Sequence, residues 1–222
     1  MNFPDGLLGI GWVSFGLFVY AISMVWALRT APWYKVKADR GAQHVLLGAA
    51  LLIVLLWNFS ASIGDGFSFH FLFMTVATLM FGPQFALMAM SLGLLGVTLN
   101  GEAGWMSFGI NAMLMGWLPI MVTWWLYKLA YRYLDKNFFV YTFLNGFLAA
   151  GIGSVMALML AAGIMLASGA YVLEDLQYNF LPFIPMIAAP EAFLNGFVIA
   201  GLVLMKPEWV STFHDHLYLN GK

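Results

Sequence analysis

Charge is what this chain has least of. Its 222 residues include nine Lys or Arg and ten Asp or Glu, 9% in all, against roughly 25% in an ordinary soluble domain. No block of like charge stands out and the formal net charge is −1, which excludes a nucleic-acid-binding module and a disordered charged tail. Cysteine is absent, which excludes a disulfide-stapled secreted scaffold. The motifs G-x-x-x-x-G-K-[ST], H-E-x-x-H and G-x-S-x-G are missing, and with them phosphate-loop ATP hydrolysis, zincin chemistry and the serine nucleophile elbow. The chain therefore reads as no enzyme, with no tightly bound cofactor.

What is present is apolar: 63% of the residues are hydrophobic, more than a soluble chain of this size can hide. The apolar runs are continuous rather than alternating, which excludes a β-barrel. An all-α, polytopic transmembrane bundle remains, in which each span needs about 20 residues. The runs are 7–28, 45–62, 67–100, 106–127, 138–170 and 181–205. The run 67–100 is too long for one upright span and is broken by Gly82-Pro83, a turn or kink signal.

The basic residues decide between turn and kink. They are Arg29, Lys35, Lys37, Arg40, Lys128, Arg132, Lys136, Lys206 and Lys222. A turn gives spans 67–82 and 83–100, seven in total, and puts all nine on one side; a kink splits them between two sides. The positive-inside rule prefers the turn. The expected arrangement is seven spans, N-terminus outside and C-terminus cytoplasmic, in the cell (plasma or inner) membrane. Residues 1–205 form a single transmembrane domain and 206–222 a short cytoplasmic tail. The two short middle spans suggest a thinned or partly re-entrant region. No basic n-region precedes the first run, so it is expected to stay as an uncleaved span.

Asp5, Asp65, Glu102, Glu174 and Asp175 fall in the expected outer segments, a distribution that attracts cations, although topology alone also produces it. His70 is the one histidine expected on that side; it is a metal-ligand candidate or a histidine bonded between helices. His44 reads as interfacial, and His214-Asp215-His216 as a chance triplet or a metal-binding one. Glu191 is the sole carboxylate within an expected span. It is either a transport group or, if the last helix starts near Pro190, a first-turn carboxylate favoured by the helix dipole. Asn58, Asn100, Asn111, Asn145 and Asn195 lie in or beside apolar helices, as interhelical links or as a polar path.

Four segments resemble the CbiM/NikM proteins, the substrate-binding membrane components of energy-coupling-factor importers for cobalt and nickel. Met1-Asn2-Phe3-Pro4-Asp5-Gly6 is similar to the family's M-H-I-P-D-G start. Leu79-Met80-Phe81-Gly82-Pro83 is similar to its L-L-G-P segment. Residues 100–112, Asn100-Gly101-Glu102-Ala103-Gly104-Trp105 through Gly109-Ile110-Asn111-Ala112, resemble G-D-G-G…G-x-N, and Pro190-Glu191-Ala192 a late Glu-containing helix. The resemblance implies an N-terminal segment folded back into the bundle. It implies a metal site made by the amine of Met1, the backbone nitrogen and side chain of residue 2, and His70. It implies a cobalt or nickel ion as substrate, and as partners a coupling membrane protein and cytoplasmic ATPases besides the lipid bilayer. Position 2 departs from the family: its histidine is Asn2 here, leaving three nitrogen ligands rather than four. That departure raises a second reading, a membrane scaffold or assembly protein of the same fold without metal transport.

Overall fold

The computed structural model describes residues 2–63 and 67–218. The chain is a helical bundle with one small hairpin. Helix α1 is Ile10–Thr30, α2 is the short Trp33–Lys37, and α3 is Arg40–Asn58. A two-stranded antiparallel hairpin follows, β1 (Ala61–Ile63) paired with β2 (Phe67–Phe69). Next come α4 (Met74–Phe81) and α5 (Pro83–Leu99). Two longer helices, α6 (Phe108–Tyr133) and α7 (Phe138–Ala167), each contain a π-helical stretch, Met113–Trp117 and Tyr141–Leu148 respectively. The chain closes with α8 (Leu173–Asn179), α9 (Ile184–Met205) and α10 (Asp215–Tyr218).

Burial is inverted relative to a soluble protein. Phe15, Phe18, Leu47, Leu51, Phe143, Phe197 and Leu204 are exposed, whereas Thr75, Thr78, Thr123, Asn145, Glu191 and Asn195 are buried. Only a lipid surround makes that distribution favourable, because polar groups then find partners only inside the bundle. Among the described residues, five helical segments are long and apolar enough to cross a membrane: 10–30, 40–58, 108–133, 138–167 and 173–205. Helix α5 is a shorter apolar helix.

Side-chain contacts order the ends. Gln84 donates to the Thr30 hydroxyl at 3.3 Å and Trp33 packs edge-on against Phe85, joining the end of α1 to the start of α5. A cavity of about 510 Å³ at this end is walled by Lys35, Asp39, Val45, Phe81, Glu208 and His214, among others. Tyr127 of α6 and Tyr141 of α7 reach the same end through Thr212. Arg29, Lys35, Lys37, Arg40, Lys128, Arg132, Lys136 and Lys206 all belong to these segments. At the opposite end Asn100 donates to Asn58 at 2.6 Å. Helices α3 and α5 run parallel, with Ile53 against Gly93 and Val54 against Gly96. Residues 59–82 must therefore return the chain to the first end.

That return is only partly helical, which corrects the expected boundaries. The third run is helical from Met74, not from residue 67; α4 has eight residues, roughly 12 Å of helix against a hydrocarbon core of about 30 Å. Gly82 sits at φ +79° and Pro83 takes the first position of α5, so the junction is a break between two helices. Helix α3 starts at Arg40, earlier than residue 45, because Asp39 caps it by accepting from the Ala42 N–H at 3.1 Å. The last helix starts at Ile184 with Pro185 in its first turn, and Pro190 lies inside it. Glu191 is thus mid-helix, two turns from the N-terminus, and the first-turn role falls away.

Small residues set the closest approaches. A Cβ on Gly16 would lie 2.7 Å from the Ile110 backbone, and Gly109 meets the Leu17 backbone in the same crossing. Backbone cannot give way as a side-chain tip can. Gly16→Val is expected to destabilise the bundle by about 2–4 kcal/mol, read as a fall in the thermal unfolding midpoint of the detergent-solubilised protein; Gly163→Ala, where a Cβ meets nothing within 4 Å, is the silent control.

Candidate metal site at the folded-back N-terminus

Residues 2–9 turn back into the bundle rather than trailing from it. Phe3 is buried, and its backbone is held at two points by one side chain: its N–H donates to Asn111 Oδ1 at 2.8 Å, and Asn111 Nδ2 donates to its carbonyl at 3.0 Å. The Gly104 N–H also donates to the Phe3 carbonyl, at 3.3 Å. One residue pair on, the Asp5 carboxylate accepts from the Trp105 and Ser107 N–H groups, both at 3.0 Å. Ser107 Oγ donates to the Pro4 carbonyl at 3.1 Å. A Cβ on Gly104 would collide with Asp5, and Gly6 takes φ +84° to lead into α1. The P-D-G and G-x-x-G segments therefore dock onto each other. Asp5, although exposed, acts in this dock.

The second wall is the stretch 70–73 between β2 and α4. Phe73 is in the left-handed region, φ +62°, a conformation that costs energy in a residue other than glycine. Glu191 from α9 holds it there. One carboxylate oxygen accepts the Leu72 N–H at 2.9 Å and the other the Phe73 N–H at 2.8 Å. Asn195, one turn further along α9, donates to Glu191 Oε1 at 2.8 Å and accepts the Val76 N–H at 3.1 Å. Trp57 of α3, buried, donates through Nε1 to the Leu72 carbonyl at 3.1 Å.

His70 is carried by this turn and is itself buried. Its ring packs on Trp57 at 4.9 Å between centroids. Nδ1 lies 3.3 Å from the Phe71 carbonyl and Nε2 lies 3.4 Å from Asn2 Oδ1. A neutral imidazole has one N–H. Both neighbours are oxygen acceptors, so it serves only one of them: on Nε2 it donates to Asn2 Oδ1, and on Nδ1 it donates to Phe71 and leaves Nε2 free as a ligand nitrogen once the Asn2 oxygen turns aside.

The structure thus brings Asn2 and His70 together. Met1 lies outside the described residues. Among the described residues, no group of three His, Cys, Asp or Glu side chains converges, so any site here relies on backbone and amide atoms as well. His44 is exposed on α3. His214 is exposed and lines the cavity at the far end; the side chains of Asp215 and His216, like Asp65, lie outside the described residues. Glu102, Glu174 and Asp175 are exposed. The parts that sequence reasoning did not assign are Trp57, the Asp5 dock and the Glu191 clamp. The acid in P-D-G and the lone intramembrane carboxylate were signals for the last two; Trp57 carried none.

A multi-pass helical membrane protein with a folded-back N-terminal segment is the class that fold and site define. The chain matches the family described as "Cobalt uptake substrate-specific transmembrane region" (CbiM) over residues 2–209, and it belongs to that family. It is a transporter-family membrane component rather than an enzyme. Two solved structures share the fold. One, titled "Crystal Structure of an Truncated Transition metal Transporter", is 18% identical with a TM-score of 0.75, covering 92% of this chain and 99% of its own. The other, "Crystal Structure of an transition metal transporter", is 19% identical with a TM-score of 0.74, covering 100% of both chains. No curated protein matches.

Removing the clamps has separable effects. Glu191→Gln keeps the shape but swaps one acceptor for an amide facing a backbone donor, and is expected to cost about 1–3 kcal/mol in thermal unfolding. Asn111→Ala removes the partner of the Phe3 N–H and leaves its carbonyl only the Gly104 N–H, and is expected to expose residues 2–9 to limited proteolysis while helix content by circular dichroism stays constant.

Proposed function

We propose that this chain is the substrate-capturing membrane component of an energy-coupling-factor importer, with cobalt or nickel as the ion carried. The observation that carries the reading is the approach of position 2, on the docked N-terminal segment, to His70 Nε2, 3.4 Å. The ligands are the nitrogens of Met1 and Asn2 together with His70. Nitrogen donors in such a set suit the late divalent ions. The ion is cargo, and the site is built to hold it and let it go.

In this reading the chain crosses the cell (plasma or inner) membrane seven times. The passages are α1, α3, the 59–82 return with α4, α5, α6, α7 and the α8–α9 segment. The basic segments share one end, which supports a cytoplasmic placement for it by the positive-inside rule. The N-terminus and His70 then face outside and the tail 206–222 faces the cytoplasm, beyond the transmembrane domain 1–205. The chain contains no phosphate loop, so uptake calls for cytoplasmic ATPases and a coupling membrane protein as partners.

One observation favours a second reading, a scaffold or assembly protein of the same fold. Asn2 stands where the family carries histidine, and an amide is a poor ligand for these ions. The two readings part on metal affinity. Purified protein is expected to bind Co(II) or Ni(II), with affinity falling about a hundredfold in His70→Ala and in a form extended at the N-terminus. Asn2→His is expected to tighten binding by about tenfold. Calorimetric titration checks both; equal binding by wild type, His70→Ala and the extended form would remove the proposed site and favour the scaffold.

A further inference from the structure

The connection between α6 and α7 joins the basic end of the bundle to an open apolar groove. The groove has a volume of about 400 Å³ and is walled by Leu134, Phe139, Val140, Phe143, Leu144 and Leu148. Leu134 stands at the connection, and the other five follow one another along α7, so the groove runs up the helix away from the basic end. Phe143, Leu144 and Leu148 belong to the π-helical stretch of α7, and such stretches recur at functional sites. Its aromatic wall is backed by two helices. The Phe143 ring stacks on Phe147 at 5.4 Å between centroids, and Phe147 meets Phe193 and Phe197 of α9 edge-on at 5.5 and 5.6 Å.

The mouth of the groove is cationic. Residues 128–136 carry Lys128, Arg132 and Lys136 against one acid, Asp135, and Leu134 stands between Arg132 and Lys136 in the chain. Each cation rests on an aromatic ring. Lys128 Nζ lies 5.1 Å from the centre of the Trp124 ring, the Arg132 guanidinium carbon 5.3 Å from that of Tyr133, and Lys136 Nζ 4.0 Å from that of Tyr131. Cation–π contacts of this kind hold the charges beside the rings, and Trp and Tyr belong at the level of the lipid headgroups. The charges are thus kept at headgroup depth, next to the entrance at Leu134.

An apolar groove alone takes any hydrocarbon chain, and a basic turn alone attracts any anion. Joined at Leu134, the two fit a molecule that carries both parts. We infer that the α6–α7 connection binds an anionic glycerophospholipid of the leaflet that the basic end faces, with the phosphate against Arg132 and Lys136 and one acyl chain in the groove. The planar fork of Arg132 matches phosphate oxygens and Lys136 adds a point charge; basic residues at this depth attract anionic lipid. A partner's transmembrane helix would use the groove and leave the cations idle, and a free anion would do the reverse. A wall fixed before binding lowers the ordering cost of holding one chain. The inference draws on the membrane class of the chain and not on the ion carried.

The test uses the full chain, stripped of lipid in neutral detergent. It is titrated with phosphatidylglycerol, with phosphatidylcholine of the same acyl chains, or with inorganic phosphate, and bound molecules are counted by native mass spectrometry. Wild type is expected to bind phosphatidylglycerol about tenfold more tightly than phosphatidylcholine, and inorganic phosphate not measurably. Arg132→Gln combined with Lys136→Gln is expected to bring the two lipids to one affinity. Lys35→Gln combined with Lys37→Gln, an equal loss of charge on α2 at the same end, is expected to keep the preference. Leu144→Trp and Leu148→Trp, which put an indole into the groove, are each expected to weaken phosphatidylglycerol binding about tenfold. Leu148 is exposed, so its variant keeps the groove testable even where the Leu144 variant misfolds. Equal affinities for the two lipids in wild type would leave the groove to a partner's helix and overturn the proposal. A preference that survives the loss of Arg132 and Lys136, or that falls equally on loss of Lys35 and Lys37, would overturn the headgroup site. Binding unchanged by Leu148→Trp, or matched by inorganic phosphate, would overturn the chain site.

Discussion

A carboxylate in the interior of a membrane protein has to be satisfied by the protein itself, and so do backbone N–H groups outside a helix. Glu191 and residues 72–73 solve each other's problem. The two oxygens of Glu191 take the Leu72 and Phe73 N–H groups, and Asn195 completes the arrangement. With these bonds made, Phe73 is held in the left-handed region and the chain turns from the hairpin into α4. The turn presents His70 to the docked N-terminus. Without the carboxylate, four residues of irregular backbone would sit in an apolar bundle with unpaired donors.

The site depends on a second dock of the same kind. Asn111 grips both backbone groups of Phe3, and Asp5 grips two N–H groups of the 105–107 loop. Each side chain replaces water as the partner of backbone groups that a helix would have paired internally. Position 2 and His70 are consequently held by rigid neighbours, with Trp57 bracing the ring and the turn together. Preorganisation of this sort raises affinity by lowering the ordering cost at binding, as the proposed capture site, with few strong ligands, requires.

Much of this architecture was legible in the sequence because lipid imposes a strict rule on composition. Long uncharged runs must be helices, and the placement of nine basic residues picks out one end. Gly82-Pro83 reads as a break because glycine alone tolerates the backbone angle and proline starts the next helix. The motif segments around residues 2–6 and 100–112 pointed to a folded-back N-terminus. The start of α4 was not legible: residues 67–73 are apolar enough to pass for helix, and the distant Glu191 is what keeps them irregular. Pro190 misled for a related reason. Proline favours a helix start, yet a surrounding bundle tolerates it inside a membrane helix, and Pro185 already fills the first turn.

The sequence by itself determined that this is a multi-pass helical membrane protein, which end of it is basic, and that Asn2 stands where its family carries histidine. These follow from residue type and from neighbours along the chain. Only the tertiary structure decided what Glu191 does, that Asn2 meets His70, and that Thr142 Oγ1 and Asn145 Oδ1 find no hydrogen-bond partner among the described residues. The first two depend on groups 68 to 119 positions apart, and the third on what the neighbouring helices present. Pairings over such separations are set by how helices pack, which no local pattern records.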